Sequence, residues 1–527
     1  MGSEQIVGQA LASVLPKHQK SWFRIPHLLH LNFILLVPLL SPAVGGYDGS
    51  LMNGLQALPS WKFYFRTPQG QTMGVVNAAQ SIGSVLALPL AGFISDRFGR
   101  KKTLLCGVIT VIIASAIQTG AVNLGMFIFS RVLVGMGTIL VVQPSPMLIS
   151  ELCYPTHRGK YTSLYYTFFY LGSVVAAWCT YGAEKNLGSS DWAWRGPSLA
   201  QAGFSIIQLI MYPFLPESPR WLIANGYITK AREILARFHA GGDSNHPLVE
   251  FEMQEITTGI SSEHAQHKTS WSSMVDSPGK RKRLLITISL GIYSQWCGSS
   301  VVSYYLPLVL ESVGIEDPKT QTLINGCLQL FNFFAGVMAA FLVDYLGRRA
   351  LWNWGGIGML VSFVIWTACS ALFDQNSQNN SAGMAVIAFI FIYYFHYDIA
   401  YSVLILSYPT EILPYSMRSK GLSIELGVIY GSLIVLSFLN PIAMASFGWK
   451  WYLLFCVILV ISIVTNWILL PETKGRSLEE IAELFGDSTT EVIPSEKENI
   501  QSEVSHVEEA EVVKEGPKAP QISSFRN

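Results

Sequence analysis

The chain alternates between long apolar runs and short polar connections. Apolar runs of about 20 residues, the length that crosses a bilayer as a helix, recur from residue 28 onward. The pattern predicts twelve spans, each near this length. They are placed at 28–50, 74–94, 103–122, 125–149, 162–182, 197–215, 285–309, 322–343, 350–373, 384–407, 420–440 and 449–470.

Composition supports a membrane protein. Of the 527 residues, 50% are hydrophobic and 13% are charged, whereas a soluble domain carries about a quarter charged residues. A transmembrane β-barrel would show short alternating segments instead. The predicted fold class is therefore an all-α polytopic membrane protein, with the lipid bilayer as its surroundings. The formal net charge is zero, so nucleic acid is not a predicted partner.

Basic residues predict the orientation of the spans. Four cations lie in the stretch 92–102, between the second and third runs. Alternate short connections hold ten basic residues against six in the connections of opposite parity, so the richer side is predicted to be cytoplasmic, with both termini. Asn379 begins the sequon Asn379-Asn380-Ser381 in a predicted external loop, which makes it a predicted glycosylation site.

Three landmarks occur twice in the same order. Asp344 follows Asp96 by 248 positions within similar glycine- and arginine-containing turns. The segment from Glu151 to Arg158 is repeated from Glu411 to Arg418, at an offset of 260. Glu472 follows Glu217 by 255. Two halves of six spans in parallel orientation are a transporter architecture, with the substrate site at the midplane between them.

The repeat sets the predicted domains. Two six-helix bundles occupy 28–215 and 285–470, joined by a cytoplasmic linker with short helices at 216–284. A cytoplasmic N-terminal segment is predicted at 1–27 and a cytoplasmic motif with a short helix at 471–486. Residues 487–527 are rich in Glu, Ser and Pro, and predict a disordered acidic tail.

Charged residues at the repeated span ends predict a gate. Acids and arginines placed at neighbouring helix ends are able to pair and hold the cytoplasmic end shut. The predicted gate residues are Asp96, Arg97, Arg100, Glu151, Arg158, Glu217, Arg220, Asp344, Arg348, Arg349, Glu411, Arg418 and Glu472.

These motifs resemble the sugar porter family of the major facilitator superfamily. The resemblance is carried by Asp96–Lys101, Pro216–Trp221, Asp344–Arg349 and Pro471–Gly475. Further stretches are similar to fungal lactose permeases and cellodextrin carriers; they are Leu171–Trp178, Asp191–Arg195, Phe238–Asp243 and Val302–Leu306. The resemblance implies a monomeric transporter of the plasma membrane, working by alternating access, with a sugar and a proton as partners.

Two opposite charges lie inside predicted spans. Asp48 lies near the outer end of the first span and Arg131 near the outer end of the fourth, so alternating topology brings them to a similar depth and allows them to pair. In proton-coupled members of the family, an acid at the position of Asp48 binds the proton and an arginine at that of Arg131 modulates it. The alternative is a static structural ion pair.

Amides, hydroxyls and aromatic rings inside spans are the groups that bind sugars. By resemblance, Gln295, Ser300 and Tyr304 of the seventh span and Asn332 of the eighth line the sugar site. Tyr166 and Ser173 are expected to line it from the first half. Asp398, in the tenth run, is either a further ligand or titratable group, or a residue at the outer mouth. Three positions depart from the family pattern. Ser300 stands where the family has an asparagine, Tyr166 where it has a glutamine, and Leu406 where it has a tryptophan.

No enzymatic constellation is predicted. The chain has no glycine-rich phosphate loop with Lys-Ser/Thr, and its histidines lack metal-ligand spacing, so neither a cofactor nor a metal is expected. The leading hypothesis is a proton-coupled symporter of a disaccharide such as lactose or cellobiose, or of a hexose. An uncoupled facilitator and a non-transporting sugar sensor remain the alternatives.

Overall fold

The computed structural model describes residues 22–266, 271–376, 379–474, 481 and 483–485. Within these ranges, the side chains of 158–160, 162, 163, 262–266, 271, 273, 340, 341, 343, 344, 415, 416 and 419 are not described. The predicted acidic tail 487–527 and most of the predicted segment 1–27 lie outside the described residues.

The first half consists of six spans, most of them longer than the apolar runs that predict them. Spans 1 to 4 are Pro26–Ala57, Gly70–Phe98, Arg100–Thr119 and Leu124–Leu152. Span 5 is Arg158–Leu187, and span 6 is built from Trp192–Ala200 and Ala202–Met211.

The second half repeats this series. Span 7 is Pro278–Glu311, divided into Pro278–Trp296 and Ser299–Glu311. Spans 8 and 9 are Pro318–Leu346 and Arg348–Gln375, and span 10 is Asn380–Ile412. Spans 11 and 12 are Tyr415–Phe447 and Tyr452–Leu469.

Length and composition agree with membrane crossing. Within the described residues, nine helical stretches are long and apolar enough to span a bilayer, and one of them, Lys420–Leu469, contains both span 11 and span 12. Spans 5 and 6 complete the bundle of the first half. Large apolar side chains remain exposed on outward faces, such as Val457, Val460 and Val464 of span 12, where only lipid would cover them.

Helix packing follows the sequence repeat. In the first half span 1 packs on span 5, span 4 on spans 2 and 3, and span 3 on span 6. In the second half span 7 packs on span 11, span 10 on spans 8 and 9, and span 9 on span 12. The halves meet where span 2 packs on span 11 and span 5 on span 8. Each contact therefore has its counterpart six spans later, as the repeated landmarks predict.

Small residues bring the backbones of spans 1 and 5 into contact. A Cβ at Gly46 would lie 1.8 Å from the carbonyl oxygen of Phe169, and one at Gly172 would lie 2.0 Å from that of Ala43. Small residues at such crossings let membrane helices approach closely. This contact fixes the depth and direction of the residues next to Gly46, including Asp48.

The connection between the halves is helical, as predicted. It forms the helices Pro219–Ala224, Ile228–His239 and Pro247–Gln266, and span 7 begins within the predicted linker, at Pro278. His239 Nε2 lies 3.1 Å from the Leu152 carbonyl oxygen at the end of span 4. We call the membrane side that carries this connection the linker face, and the other side the opposite face.

Described hydrogen bonds between the halves lie at the midplane or toward the opposite face. Asn53 Nδ2 of span 1 donates to the carbonyls of Val302 and Ser303 in span 7, at 3.1 and 2.8 Å. Lys62, just beyond the end of span 1, and Glu311, the last residue of span 7, form an ion pair of 2.8 Å between Nζ and Oε1. The two halves are thus joined through spans 1 and 7 on that side.

Candidate functional site

Asp48 and Arg131 form a buried bidentate ion pair, as the sequence predicts. Arg131 Nη1 lies 3.1 Å from Asp48 Oδ1, and Nη2 lies 3.2 Å from Oδ2. Both side chains are 0% exposed. Parallel hydrogen bonds of this kind match the planar guanidinium to the carboxylate, so the pair holds spans 1 and 4 in one relative orientation.

Two further groups hold this pair in place. Gln201 Nε2, in the middle of span 6, donates to Asp48 Oδ1 at 2.9 Å, and Arg131 Nε donates to the Val76 carbonyl of span 2 at 2.9 Å. Sequence reasoning missed Gln201, although an amide in an apolar run was a usable signal. Three donors therefore meet the two oxygens of Asp48, two from Arg131 and one from Gln201.

Span 7 is broken beside the predicted sugar ligands. Its two parts meet at Gly298, whose φ of +103° is left-handed. Gln295, just before the break, is half-buried and donates to Ser294 Oγ at 3.1 Å. Tyr304, after it, is half-buried and lies within electrostatic reach of both Asp48 and Arg131. Broken membrane helices are where transporters place ligands.

Ser300 has a partner that sequence reasoning missed. Asn440 of span 11 is fully buried, donates to Ser300 Oγ at 3.3 Å and accepts from Trp451 Nε1 at 3.1 Å. The usable signal was an asparagine before a proline inside the apolar run. An amide therefore lies close to Ser300, where relatives are expected to carry an asparagine.

Asp398 is fully buried at the contact between the halves. Tyr170, from span 5, donates its hydroxyl hydrogen to Asp398 Oδ1 and lies 2.8 Å from Ser402 Oγ. With its amide turned to face acceptors, Asn332 donates to Asp398 Oδ2 at 3.2 Å. Residues Asp398–Ser402 form a π-helical turn, a distortion that recurs at functional sites. Asp398 is therefore a buried ligand of other side chains, and the alternative of a water-facing residue at the outer mouth is wrong.

The first-half candidates occupy different surroundings. Tyr166 is half-buried, packs edge-on against Tyr165 with ring centroids 5.2 Å apart, and lies within electrostatic reach of Glu425. Ser173 is buried and donates to the Gly46 carbonyl at 2.9 Å. The hydroxyl hydrogen of Ser173 is thus committed to packing span 1 against span 5.

In the first half, the predicted gate residues join neighbouring spans at the linker face. Arg100 Nε, at the start of span 3, lies 3.8 Å from Glu151 Oε2, at the end of span 4. Ser218 donates its hydroxyl hydrogen to the same carboxylate. Spans 3 and 4 and the start of the linker therefore meet at one acid.

The second half reproduces this arrangement residue for residue. Arg348 Nη2, at the start of span 9, lies 3.1 Å from Glu411 Oε1, at the end of span 10. Thr473 Oγ1 donates to Glu411 Oε2 at 2.5 Å. The described pairs thus join spans within each half, and we infer that they hold each half rigid.

Glu217 and Glu472 cap the first turns of spans 3 and 9. Glu217 Oε1 accepts from the backbone N–H of Lys101 at 3.1 Å, and Glu472 accepts from those of Arg348 and Arg349 at 2.9 and 3.0 Å. A carboxylate there satisfies free N–H groups and faces the positive end of the helix dipole. The repeated acidic motifs are therefore helix caps supplied from elsewhere in the chain.

A glycine precedes each capped helix. Gly99 and Gly347 have φ of +103° and +90°, and a Cβ on them would lie 2.2 Å from Glu217 Oε2 and 2.9 Å from Glu472 Oε2. Glycine is required both by the backbone conformation and by the approach of the acid.

The pKa values of the two capping acids are shifted in opposite directions. Burial raises the pKa of Glu217, and the backbone donors and Arg100 offset only part of that effect. Burial also acts to raise the pKa of Glu472, but the N–H groups of Lys474, Arg348, Arg349 and Thr473 outweigh it, so the pKa falls below its ordinary value.

The remaining predicted gate residues are more peripheral. Asp96 is exposed and lies 3.5 Å from Arg100, and Arg97 is exposed. Arg349 Nη2 donates to the Trp467 carbonyl at 2.8 Å. Half-buried arginines complete the set; they are Arg220, which lies within electrostatic reach of Glu151, and Arg418. The side chains of Arg158 and Asp344 lie outside the described residues.

Asn379 lies at the opposite face, where the sequence predicts an external loop. Its Oδ1 accepts from the backbone N–H of Ala382 at 3.2 Å and caps the first turn of span 10. The cap uses the oxygen of the amide, and glycosylation of its nitrogen stays a prediction.

Comparison with known proteins is consistent with this architecture. The model of the family "Sugar (and other) transporter" matches residues 34–485. The high-affinity glucose transporter of Kluyveromyces lactis is 26% identical over 88% of this chain and 87% of its own length. The sugar transporter STL1 of Saccharomyces cerevisiae is 28% identical over 86% and 81%.

Solved structures agree on the fold. The proton:xylose symporter XylE, bound to 6-bromo-6-deoxy-D-glucose, matches with a TM-score of 0.70 at 24% identity, over 86% of this chain and 99% of that one. The inward-open xylose transporter XylE from E. coli matches with a TM-score of 0.71 at 23% identity, over 86% and 99%. The narrower similarity to lactose permeases stays a prediction. With its duplicated six-span halves and a family match across most of its length, the chain belongs to the sugar transporters of the major facilitator superfamily, a family of membrane transporters and not of enzymes.

Proposed function

We propose that this protein is a proton-coupled sugar symporter that works by alternating access between its two halves. The observation that carries the proposal is the buried Asp48–Arg131 pair, which lies within electrostatic reach of Tyr304 from the other half. A carboxylate in hydrocarbon is held ionised by its arginine and takes a proton when that arginine moves away. The relatives are named as sugar transporters, and XylE as a proton:xylose symporter. The role of Asp48 in proton coupling is our proposal for this chain.

Sugar binding supplies the movement that releases Asp48. Tyr304 follows the break in span 7, and its backbone carbonyl accepts from Gln56 Nε2 of span 1 at 2.9 Å. A sugar that contacts span 7 beside Gln295 therefore pulls on the same helix that carries Asp48. Displacing span 1 lengthens the bonds from Arg131 and leaves room for a proton on Asp48.

The sugar lies between the halves, near the break in span 7. Gln295, Ser300 and Tyr304 line it from that span, Asn332 and Asp398 from spans 8 and 10, and Tyr166 and Ser173 from span 5. Because Asn440 occupies space beside Ser300, and Tyr166 is larger than the family's glutamine, the pocket differs from that of a glucose carrier. We propose a disaccharide such as lactose or cellobiose as the first candidate and a hexose as the second.

The linker face is the cytoplasmic face of a plasma membrane, with both termini on that side. In the conformation described, spans 1 and 7 are joined toward the opposite face by Asn53, Lys62 and Glu311. Opening on the outside breaks these contacts, and the charged residues at the linker face then close the inner end. The fold works as a monomer.

Uptake in a transporter-null yeast tests the proposal. Cells expressing the protein are given labelled lactose, cellobiose, glucose and xylose, with and without a protonophore. We expect at least one sugar to accumulate against its gradient and the protonophore to abolish the accumulation. Equilibration unaffected by the protonophore would indicate a facilitator, and no uptake of any of the four despite normal surface expression would favour a sensor; either result contradicts the proposal.

A further inference from the structure

One buried acid has no place in the site or gate described above. Glu425 of span 11 is 0% exposed, and neither of its carboxyl oxygens has a hydrogen-bond partner among the described residues. Its position near the start of span 11 would suit a place among the charged residues at the linker face, but the described pairs there do not include Glu425.

The surroundings of Glu425 connect it to the contact between the halves. Tyr166 of span 5 lies within electrostatic reach of it, and Tyr430 of span 11 lies within reach of Tyr166. Tyr430 lies within reach of Tyr304, which in turn is within reach of Asp48. Three tyrosines, each within electrostatic reach of the next, therefore connect the two acids, and Glu425 lies toward the linker-face end of its span.

Among the residues that the structure describes, no charged group pairs with Glu425. Among the described residues, Tyr166 is the titratable group that lies within electrostatic reach of it, and span 7 packs Gly291 against its backbone carbonyl. On spans 2 and 4, Ala87, Ala91, Ile139 and Leu140 form an apolar cluster against which Tyr430 packs.

Burying an ionised carboxylate without hydrogen-bond donors costs a large free energy. A buried acid in such surroundings therefore binds a proton and becomes neutral. Asp48 avoids this through Arg131, and Asp398 accepts from Tyr170 and Asn332. Glu425 has neither solution. We propose that Glu425 is a second proton-binding site, which holds a proton in this conformation and exchanges it with water at the linker face.

The exchange is a proton transfer and needs no other reactant. When the contact between spans 5 and 11 opens toward the linker face, water reaches the carboxyl group of Glu425, which then releases its proton and becomes a hydrated carboxylate. When the contact closes again, the carboxylate takes up the proton that Asp48 gives up as Arg131 returns to it, so one proton leaves Asp48 and one binds Glu425 before its site loses water. Glu425 thereby links the proton that enters at Asp48 to the side where it leaves, an idea that rests on the proposed function.

Infrared spectroscopy tests the protonation directly and does not depend on coupling. In wild-type protein in lipid, a pH-difference spectrum is expected to contain the carbonyl stretch of a weakly hydrogen-bonded carboxylic acid. Glu425→Gln should lose that band. Asp48→Asn and the exposed Glu316→Gln should keep it. A wild-type spectrum without the band, or a band that survives in Glu425→Gln, would overturn the inference.

Transport then separates this inference from the proposed function. Glu425→Gln in proteoliposomes is expected to keep sugar counterflow within about twofold of wild type and to reduce proton-driven accumulation by about tenfold or more. Accumulation equal to wild type would overturn the role of Glu425 while leaving that of Asp48 intact. If wild type itself fails to accumulate sugar, the proposed function fails, and the infrared result still decides whether Glu425 binds a proton.

Discussion

The two halves are alike at the linker face and different in the membrane interior. At the linker face each half joins an arginine, an acid and a hydroxyl: Arg100, Glu151 and Ser218 in one, Arg348, Glu411 and Thr473 in the other. In the interior, Asp48 of the first half has its own arginine, whereas Asp398 and Glu425 of the second half have no cation among their described partners.

This difference separates movement from chemistry. Equivalent helix-end contacts let the halves act as two similar rigid bodies, which alternating access requires. Among the described residues, one interior charge pair, Asp48 with Arg131 in the first half, is the group that we propose exchanges its arginine for a proton. On this proposal, the duplicated features serve the movement of the halves and the unshared pair serves coupling.

Breaking the interior pair should give the largest loss of stability. Arg131→Met leaves a buried carboxylate without its cation, and removing one partner of such a pair costs about 3–5 kcal/mol. We expect a strongly lowered melting temperature for the purified protein. The double variant Asp48→Asn with Arg131→Met should recover most of the loss.

The second half supplies the contrast to this experiment. Glu425→Gln removes an acid that has no partner, so the melting temperature should stay unchanged or rise. A loss comparable to that of Arg131→Met would contradict the difference between the two interiors.

The repeated glycines should come next in effect. Gly99 and Gly347 have (φ, ψ) of (103°, 159°) and (90°, 156°), a region that is nearly exclusive to glycine and costs other residues about 1–3 kcal/mol. Alanine at either position should destabilise the protein, and Gly99→Ala should do so more, because Glu217 lies closer. Gly92→Ala, which has open space around it, is the control. Equal melting of all three variants would exclude the close approach of the acids.

The two caps should respond oppositely to loss of charge. The pKa of Glu472 lies below 4.5, so its ionised form stabilises the protein above about pH 4.5, and this contribution disappears as the pH falls through the folded value. At pH 7, Glu472→Gln should cost about 1 kcal/mol, as for a lost helix cap. The pKa of Glu217 is raised above 4.5, so its stabilising contribution is present below that value and is lost as the pH rises.

Glu217→Gln should therefore be neutral or stabilising at pH 7, since glutamine resembles the protonated acid. Melting curves of both variants between pH 4 and pH 8 measure the contrast. A loss at pH 7 that is equal in the two variants would show that the caps are electrostatically equivalent.

The smallest effect is expected for the ion pair between the halves. Lys62 and Glu311 are each 33% exposed, and exposed pairs contribute about 0.2–1 kcal/mol. Lys62→Gln should lower the melting temperature slightly at low salt and have no effect at high salt. A larger loss that persists at high salt would indicate that this contact holds the opposite face closed.

The sequence was most informative where a feature occurs twice or where a charge interrupts an apolar run. Offsets between Asp96 and Asp344 and between Glu217 and Glu472 predict the two halves and their equivalent packing. Asp48 and Arg131 are the kind of intramembrane charges that predict a partner. These features are read from the spacing of residues and from the hydrophobicity of the runs around them, and both are visible in the sequence.

Partners that depend on packing were not predictable in the same way. Gln201 reaches Asp48, and Asn440 reaches Ser300, through helix rotations that no local pattern specifies. The isolation of Glu425 was not predictable either, because its position near the end of span 11 resembles that of a gate residue, whereas no described residue donates a hydrogen bond to its side chain. Rotation of a helix about its axis decides each of these contacts.

Simultaneous measurement of sugar and proton movement in proteoliposomes tests the central claim most directly. Wild-type protein and Asp48→Asn are compared with the sugar that yeast uptake identifies. Wild type should carry protons inward with the sugar and accumulate it when a proton gradient is imposed. Asp48→Asn should exchange labelled sugar across the membrane without proton movement and without accumulation. Sugar-dependent proton flux of wild-type size in Asp48→Asn would contradict the account.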